Sequence, residues 1–397
     1  MDITRRSFMN YTFNVPTKVL FGAGRLNDLH NEKMPGRKAL LVISGGKSTR
    51  ANGYLERTEN ELKAAGAEYV VFDKIQPNPL KETVEEGAVF ARENGCDFIV
   101  ALGGGSVMDA SKAIALNAAN EGDLWDYVTA GSGKGKPFSN APLPIIAITT
   151  TAGTGSEVDF GGVITKTDTH EKIGICFTEL TPVLAVVDPE LMTTVPPGYT
   201  AFQGFDALFH SLEGYISIHR NLMSEMVQEA AISNIAKYLP KAVADGNDLE
   251  AREHVAFANT MSGYSMMTGS CTSEHSMEHA MSAYHQKLPH GAGLIMISVE
   301  YFRYFINRNV CGERFVKMAK LLGMENASKP EDFITALEGL QKACGVDDLK
   351  MSDYGITEDE LDTLARNARE TMGGLFACDP AEMSHEDCVE IYRKSFR

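Results

Sequence analysis

Asp206 and His210 stand four residues apart, a spacing that stacks both side chains on one face of a helix. Further along, His275, His279, His285 and His290 place four of the chain's ten histidines within sixteen residues. One carboxylate and three imidazoles, Asp206, His210, His275 and His290, can close around a single ion. That donor set suits a divalent first-row metal such as Fe2+ or Zn2+ and not calcium, which wants oxygen ligands throughout. His279 lies one turn after His275 on the same side of a helix, so it competes with His275 for the ligand position.

A second stretch has chemistry of another kind. The apolar run Asp97–Leu102 leads into Gly103, Gly104, Gly105 and Ser106, followed by a helical pattern through Asp109 and Lys112. Glycines allow backbone N–H groups to approach a pyrophosphate, and the helix N-terminus adds unpaired donors and a favourable dipole. The stretch is neither the GxGxxG fingerprint nor a Walker loop. Thr149 to Glu157, dense in hydroxyls and glycines, follows another buried run and suits hydrogen bonding to a polar ligand at the carboxyl edge of a sheet. Gly22-Ala23-Gly24 carries Asn27 where a third fingerprint glycine would stand and reads as a turn.

These motifs need a scaffold. Runs at 38–43, 68–72, 97–102, 143–148 and 184–187 are apolar on both faces and alternate with helical stretches, the pattern of a parallel or mixed α/β sheet. After Asp188 such runs vanish and 3.6-residue periods dominate, as in 221–241, 250–267 and 358–372. The expectation is an α/β dinucleotide-binding domain over 1–188 and an all-α metal-binding domain over 189–397.

A length of 397 residues accommodates two cores. The net charge of -16 argues against nucleic acid or an anionic membrane surface as partner. Seven scattered cysteines with no CxxC pair predict reduced thiols in a cytoplasmic protein. No apolar run approaches the ~20 residues of a membrane span. Arg5-Arg6 imitates a twin-arginine export signal, but no apolar region follows, so the segment reads as mature protein.

Taken in order, Pro16–Gly22, Gly103–Ser106 with Asp109 and Lys112, Thr150–Glu157, Lys172-Ile173, Asp188–Leu191, Asp206–His210 and His275–Gly291 resemble the iron-containing (group III) alcohol dehydrogenases over nearly the whole chain. The resemblance is nearest to the butanol dehydrogenase and aldehyde reductase branch. It implies a dehydroquinate synthase-like architecture, with a metal held by Asp206, His210, His275 and His290 between the two domains. Gly104, Gly105 and Ser106 would meet the pyrophosphate, Thr150, Thr151 and Thr154 would face the nicotinamide, and Asp109 and Lys172 would line the cofactor cleft. His279 would stand near the substrate as a proton relay, and the protein would be a homodimer.

Two departures stand out. The interval from His275 to His290 is fifteen residues, one longer than common in the family, and Gln203 replaces a frequent threonine. NAD-preferring members carry an aspartate after the first strand. Here Ser44, Gly45, Gly46, Lys47 and Ser48 follow it with no carboxylate. That absence favours NADP over NAD, with Gly45 and Ser48 at the adenosine end and Lys47 or Ser48 available to a 2′-phosphate.

The expected reaction is hydride transfer between NAD(P)H and a small aldehyde, or the reverse from a primary alcohol. A lyase or cyclase of the dehydroquinate synthase type is the first rival, but it would want more Lys and Arg than Arg220, Lys237, Lys241, Arg252 and Lys287 between residues 206 and 291. A non-catalytic metal- or nucleotide-binding protein is the second.

Overall fold

The computed structural model describes residues 11–397, so the Arg5-Arg6 pair lies outside the described residues. Six parallel strands form the central sheet: β1 (Lys18–Phe21), β2 (Lys38–Ser44), β3 (Glu68–Ile75), β4 (Phe98–Gly103), β5 (Ile145–Thr149) and β8 (Leu184–Val187), in the order β1-β8-β5-β4-β2-β3. Alternation within a strand explains why the apolar runs are continuous. Leu40 and Val42 of β2 pack into one core cluster, whereas Ala39, Leu41 and Ile43 pack into another on the opposite face. Both faces are covered, by α1 (Ser48–Ala51) and α2 (Tyr54–Ala64) on one side and by α3 (Lys81–Glu93) and α4 (Gly105–Ala119) on the other.

Strand order locates the ligand crevice before any side chain is considered. From β2 the chain passes to β3 on one side, then returns to β4 on the other. The loops leaving β2 and β4 therefore diverge, and ligands of open α/β sheets bind at such a reversal, beyond the carboxyl ends of the strands. The Gly45–Ser48 and Gly103–Ser106 loops both sit there.

Three strands were not expected from the sequence. β1 is a four-residue edge strand, too short to show a period. β6 (Gly161–Lys166) and β7 (Glu171–Cys176) form an antiparallel hairpin outside the main sheet. Its glycines dilute the apolar signal; the two strands pair with each other, and α4 packs against β6 while α8 packs against β7.

After β8 the chain is helical: α5 (Pro197–Ile216), α6 (Leu222–Ala244), α7 (Leu249–Gly269), α8 (Ser273–Tyr284), α9 (His290–Asn307), α10 (Gly312–Leu321), α11 (Asp332–Ala343), α12 (Leu361–Thr371), α13 (Gly373–Phe376) and α14 (His385–Ser395). Ends are set locally, by an Asn221 capping box on α6, Asp248 on α7 and a Ser384 capping box on α14. α5 is buried nearly all round, the mark of a central helix. It packs against α6, α7 and α9, and this places its polar residues at the centre of the molecule. Among the described residues no helix is long and apolar enough to cross a membrane.

Candidate metal and cofactor site

α5 presents Asp206 and His210 one turn apart, both buried. α8 brings His275 and the first residue of α9 is His290. Around Asp206 Oδ1 the nearest ring nitrogens are His275 Nε2 at 3.5 Å, His290 Nε2 at 3.5 Å and His210 Nδ1 at 3.6 Å. These separations are too long for hydrogen bonds. Asp206 Oδ1, His210 Nδ1 and His275 Nε2 have no hydrogen-bond partner although all three atoms are buried. Leaving a buried polar atom unsatisfied costs roughly 1–3 kcal/mol, and here three of them face one another. A divalent cation held among them would give each a partner, and the oxygen-plus-nitrogen donor set is one that Fe2+ and Zn2+ accept.

The electrostatics agree. Burial opposes charge on His210, and with His275 and His290 nearby pushes its pKa down to about 3, so that the ring is neutral. Burial likewise opposes charge on His275, but Glu213 and Asp206 outweigh it and push the pKa up to about 10. Burial would raise the Asp206 carboxyl, yet His210 and His290 hold it well below the usual carboxylate range. The site's field therefore favours positive charge between Asp206 and His275.

Two glutamates not singled out by the sequence hold His275 and His290 in place. Glu213, fully buried on α5, accepts from His275 Nδ1 and from Thr272 N–H at 2.8 Å. Glu278, fully buried on α8, accepts from His290 Nδ1. Each bond fixes a proton on Nδ1, so an ion that displaces any proton from Nε2 would meet the lone pair there. Helical spacing was the available signal: Glu213 is three residues after His210, and Glu278 is three after His275. Cys271 was also missed; its buried thiol comes within 4.8 Å of a ring nitrogen on each of His210 and His275.

His279 is buried beside this group. Its ring centroid is 5.3 Å from that of His290, and its Nδ1 is 2.9 Å from Met372 Sδ. Burial, with the charge of Lys172, holds it far below the ordinary histidine pKa. The geometry puts His275, not His279, beside Asp206. His285 points elsewhere, with Nε2 3.3 Å from Glu360 Oε1.

The sheet side reaches the same place through the loop after β5. A Cβ on Gly153 would lie 3.0 Å from the Gln203 backbone and 3.2 Å from Asp206 Oδ2, so glycine lets this loop press against α5 without a shift of either. Gln203, in the position of the frequent threonine, uses its side-chain oxygen to accept from Ala152 N–H at 3.4 Å. The same loop covers the triple glycine. A Cβ on Gly104 would meet Thr151 at 2.7 Å, and one on Gly105 would meet Thr154 at 2.3 Å. Thr150 N–H donates to Gly103 O at 3.0 Å. α4 starts at Gly105 with Gly104 as its N-cap and no side chain capping it, so the N–H groups of its first turn have no side-chain acceptor.

Asp109 and Lys172 have other partners than a nucleotide. Asp109 accepts from Ser156 Oγ–H at 2.8 Å and Val163 N–H at 3.0 Å, and burial raises its pKa to about 6. Lys112 donates to Ser156 Oγ, Asp159 and Gly161 O, so the pair braces the loop and hairpin from beneath. Lys172 on β7 is buried against α8, its Nζ 2.8 Å from Ser282 Oγ and 3.3 Å from Glu278 Oε2. It thus faces the histidine cluster. Gly45 and Ser48 are exposed at the mouth of the crevice, next to the Arg50–Asp73 ion pair at 2.7 Å.

Comparison with known proteins places the chain in a family. Residues 16–189 match the family described as iron-containing alcohol dehydrogenase, and residues 200–396 match the C-terminal part of the Fe-containing alcohol dehydrogenase family. The NAD-dependent methanol dehydrogenase of Bacillus methanolicus is 35% identical, over 96% of this chain and 99% of its own. NADH-dependent butanol dehydrogenase A of Clostridium acetobutylicum is 30% identical, over 98% of this chain and 100% of its own. The crystal structure of an archaeal halo-thermophilic alcohol dehydrogenase from a Red Sea brine pool superposes with a TM-score of 0.92 at 33% identity, covering 98% of this chain and 100% of the other. With an α/β sheet domain leading into a helical one and matches along its full length, the chain belongs to the iron-containing alcohol dehydrogenase family.

Proposed function

We propose that Asp206, His210, His275 and His290 hold one divalent ion, Fe2+ or alternatively Zn2+, beside a dinucleotide bound across Gly104, Gly105 and Ser106. The enzyme is a nicotinamide-linked alcohol dehydrogenase, and we assign it small primary alcohols and their aldehydes as substrates. The observation that carries the ligand assignment is the convergence of three buried, unpartnered atoms, Asp206 Oδ1, His210 Nδ1 and His275 Nε2. When bound, the ion would supply Lewis acidity to the substrate oxygen. The chain's own contributions are positional. Thr150, Thr151 and Thr154 bring the loop over the nicotinamide side, and Gly153 lets that loop sit against Asp206. Glu213 and Glu278 hold Nδ1 protons on His275 and His290. His279, beside His290 with ring centroids 5.3 Å apart, is assigned as the relay for the alcohol's proton; burial and the Lys172 charge oppose its holding that proton, so it can only pass it on.

We assign both dinucleotides to the crevice, with NADP favoured. The exposed Gly45–Ser48 loop offers Lys47 and no carboxylate, and the nearby Asp73 is neutralised by Arg50. The relatives' names, NAD- and NADH-dependent, point the other way, and the ratio of kcat/KM for NADPH and NADH decides it. The domain division at residue 188, a homodimer and a cytoplasmic location complete the reading. The outer edge of β1, unpaired among the described residues, supports the dimer, and seven unbridged thiols support a reducing compartment. The deciding experiment loads the protein with Fe2+ and follows NADPH and NADH consumption with butyraldehyde, against His275→Ala. Turnover with one bound ion per chain is expected; full turnover in the variant, or in metal-stripped protein, would refute the assignment.

A further inference from the structure

Glu213 and Glu278 perform the same task on different histidines, but with unequal charge. Around Glu213 the donors besides His275 are the N–H of Thr272 at 2.8 Å and its hydroxyl at 3.0 Å, both neutral. Around Glu278 one neighbour is a cation: Lys172 Nζ lies 3.3 Å from Oε2 and 3.5 Å from His290 Nδ1, held in place by Ser282 Oγ at 2.8 Å. A carboxylate that keeps its charge draws strongly on the Nδ1–H it accepts and makes the opposite nitrogen a better donor. One neutralised by an ammonium draws less. Exposure follows the same order. The side chains of Asp206, His210 and His275 are 5–6% exposed, and that of His290 is 23% exposed.

We propose that His290 is the weak, displaceable arm of the metal centre, and that Lys172 is the positioning residue that makes it so. The inference rests on the four-ligand reading above. Room for a substrate oxygen then opens on the His290 side, where solvent already reaches, while Asp206, His210 and His275 keep hold of the ion. Without Lys172 the charge of Glu278 would go uncompensated beside those of Asp206 and Glu213, and the centre would bind its ion more tightly than turnover requires.

Competition between the purified apo-protein and a chromophoric chelator for Zn2+ measures this without reference to activity. Lys172→Met is expected to bind Zn2+ about tenfold more tightly than wild type, a change that a merely structural lysine would not produce. Glu213→Gln should lose about 100-fold and Glu278→Gln about tenfold. In the double variant Lys172→Met/Glu278→Gln the tightening should vanish, because the lysine acts through that carboxylate. Weaker or unchanged binding in Lys172→Met, or equal losses in the two glutamine variants, would overturn the proposal. If Lys172→Met does not fold, the comparison of the two glutamine variants decides it. A wild-type protein that takes up no Zn2+ would bring down the ligand assignment as well; normal uptake with the order of losses reversed would bring down this inference alone.

Discussion

Lys112 and His275 are both deeply buried titratable side chains at the junction of sheet and helices, and their surroundings differ in kind. Lys112 finds Ser156 at 2.8 Å, Asp159 at 2.6 Å and the Gly161 carbonyl at 2.6 Å, so each of its three protons has an acceptor. His275 has Glu213 on one nitrogen and nothing within hydrogen-bonding distance on the other. Lys112 is thus fully partnered within the protein, whereas one ring nitrogen of His275 is left open towards Asp206 and is where the proposed cation would bind. Buried polarity by itself is therefore no guide to function in this molecule. What distinguishes His275 from Lys112 is an unpartnered ring nitrogen that shares its place with the unpartnered Asp206 Oδ1 and His210 Nδ1.

That contrast can be broken from either side. The largest effect is expected on the helical side: His275→Ala should lower kcat/KM by about four orders of magnitude, about 5.4 kcal/mol, with bound metal lost in parallel. Metal analysis and steady-state rates on the same preparation check it. If metal stays and the rate falls, His275 acts on substrate and the contrast fails. On the sheet side, Lys112→Met leaves Asp159 buried without its partner and should destabilise the fold by ~3–5 kcal/mol in denaturant titration. The variant that remains folded should still bind one equivalent of metal. Metal loss from folded Lys112→Met would show that the two regions are one electrostatic unit.

Much of this organisation could be read before the structure, for identifiable reasons. The four-residue spacing of Asp206 and His210 determines a shared helix face, and the buried strands show themselves because both faces of the sheet are covered. Less was legible where a residue's partner is remote in sequence. Lys172 meets Glu278 across 106 positions and Lys112 meets Asp159 across 47, and no local period encodes either pairing. The β6–β7 hairpin escaped for a related reason, since its strands pack on α4 and α8, which lie far from them in sequence. Glu213 and Glu278 were within reach of helical spacing, yet a lone glutamate on a helix normally signals a solvated face. Only their burial shows that they are second partners of the histidines.

A smaller effect separates the regions by pH. Asp109 is buried in the sheet-side brace, and its pKa is raised from 3.8 to about 6. A carboxyl whose folded pKa is raised holds its proton more tightly when folded. Its contribution is neutral below the unfolded pKa, becomes unfavourable as pH rises from about 4 to about 6, and levels off above that. Wild type should therefore lose on the order of 3 kcal/mol relative to Asp109→Asn across this window. Urea midpoints at pH 4 and pH 7 for both proteins check the sign; a difference that is constant with pH would mean that Asp109 titrates normally.

The smallest expected effect tests why the triple glycine exists. Thr154 Cγ2 would stand 2.3 Å from a Cβ at position 105, so packing alone forbids a side chain there, whether or not a pyrophosphate approaches. Gly105→Ala should cost ~1–3 kcal/mol by overpacking and raise the KM for the dinucleotide. Adding Thr154→Ser removes the clashing methyl and keeps a hydroxyl. If the glycine serves only packing, the double variant recovers both stability and KM. If it also serves the cofactor, stability returns while KM stays high, because the new methyl still stands where the backbone must approach a phosphate at the N-terminus of α4. The second outcome is the one expected from the strand order, which puts this turn at the reversal point of the sheet.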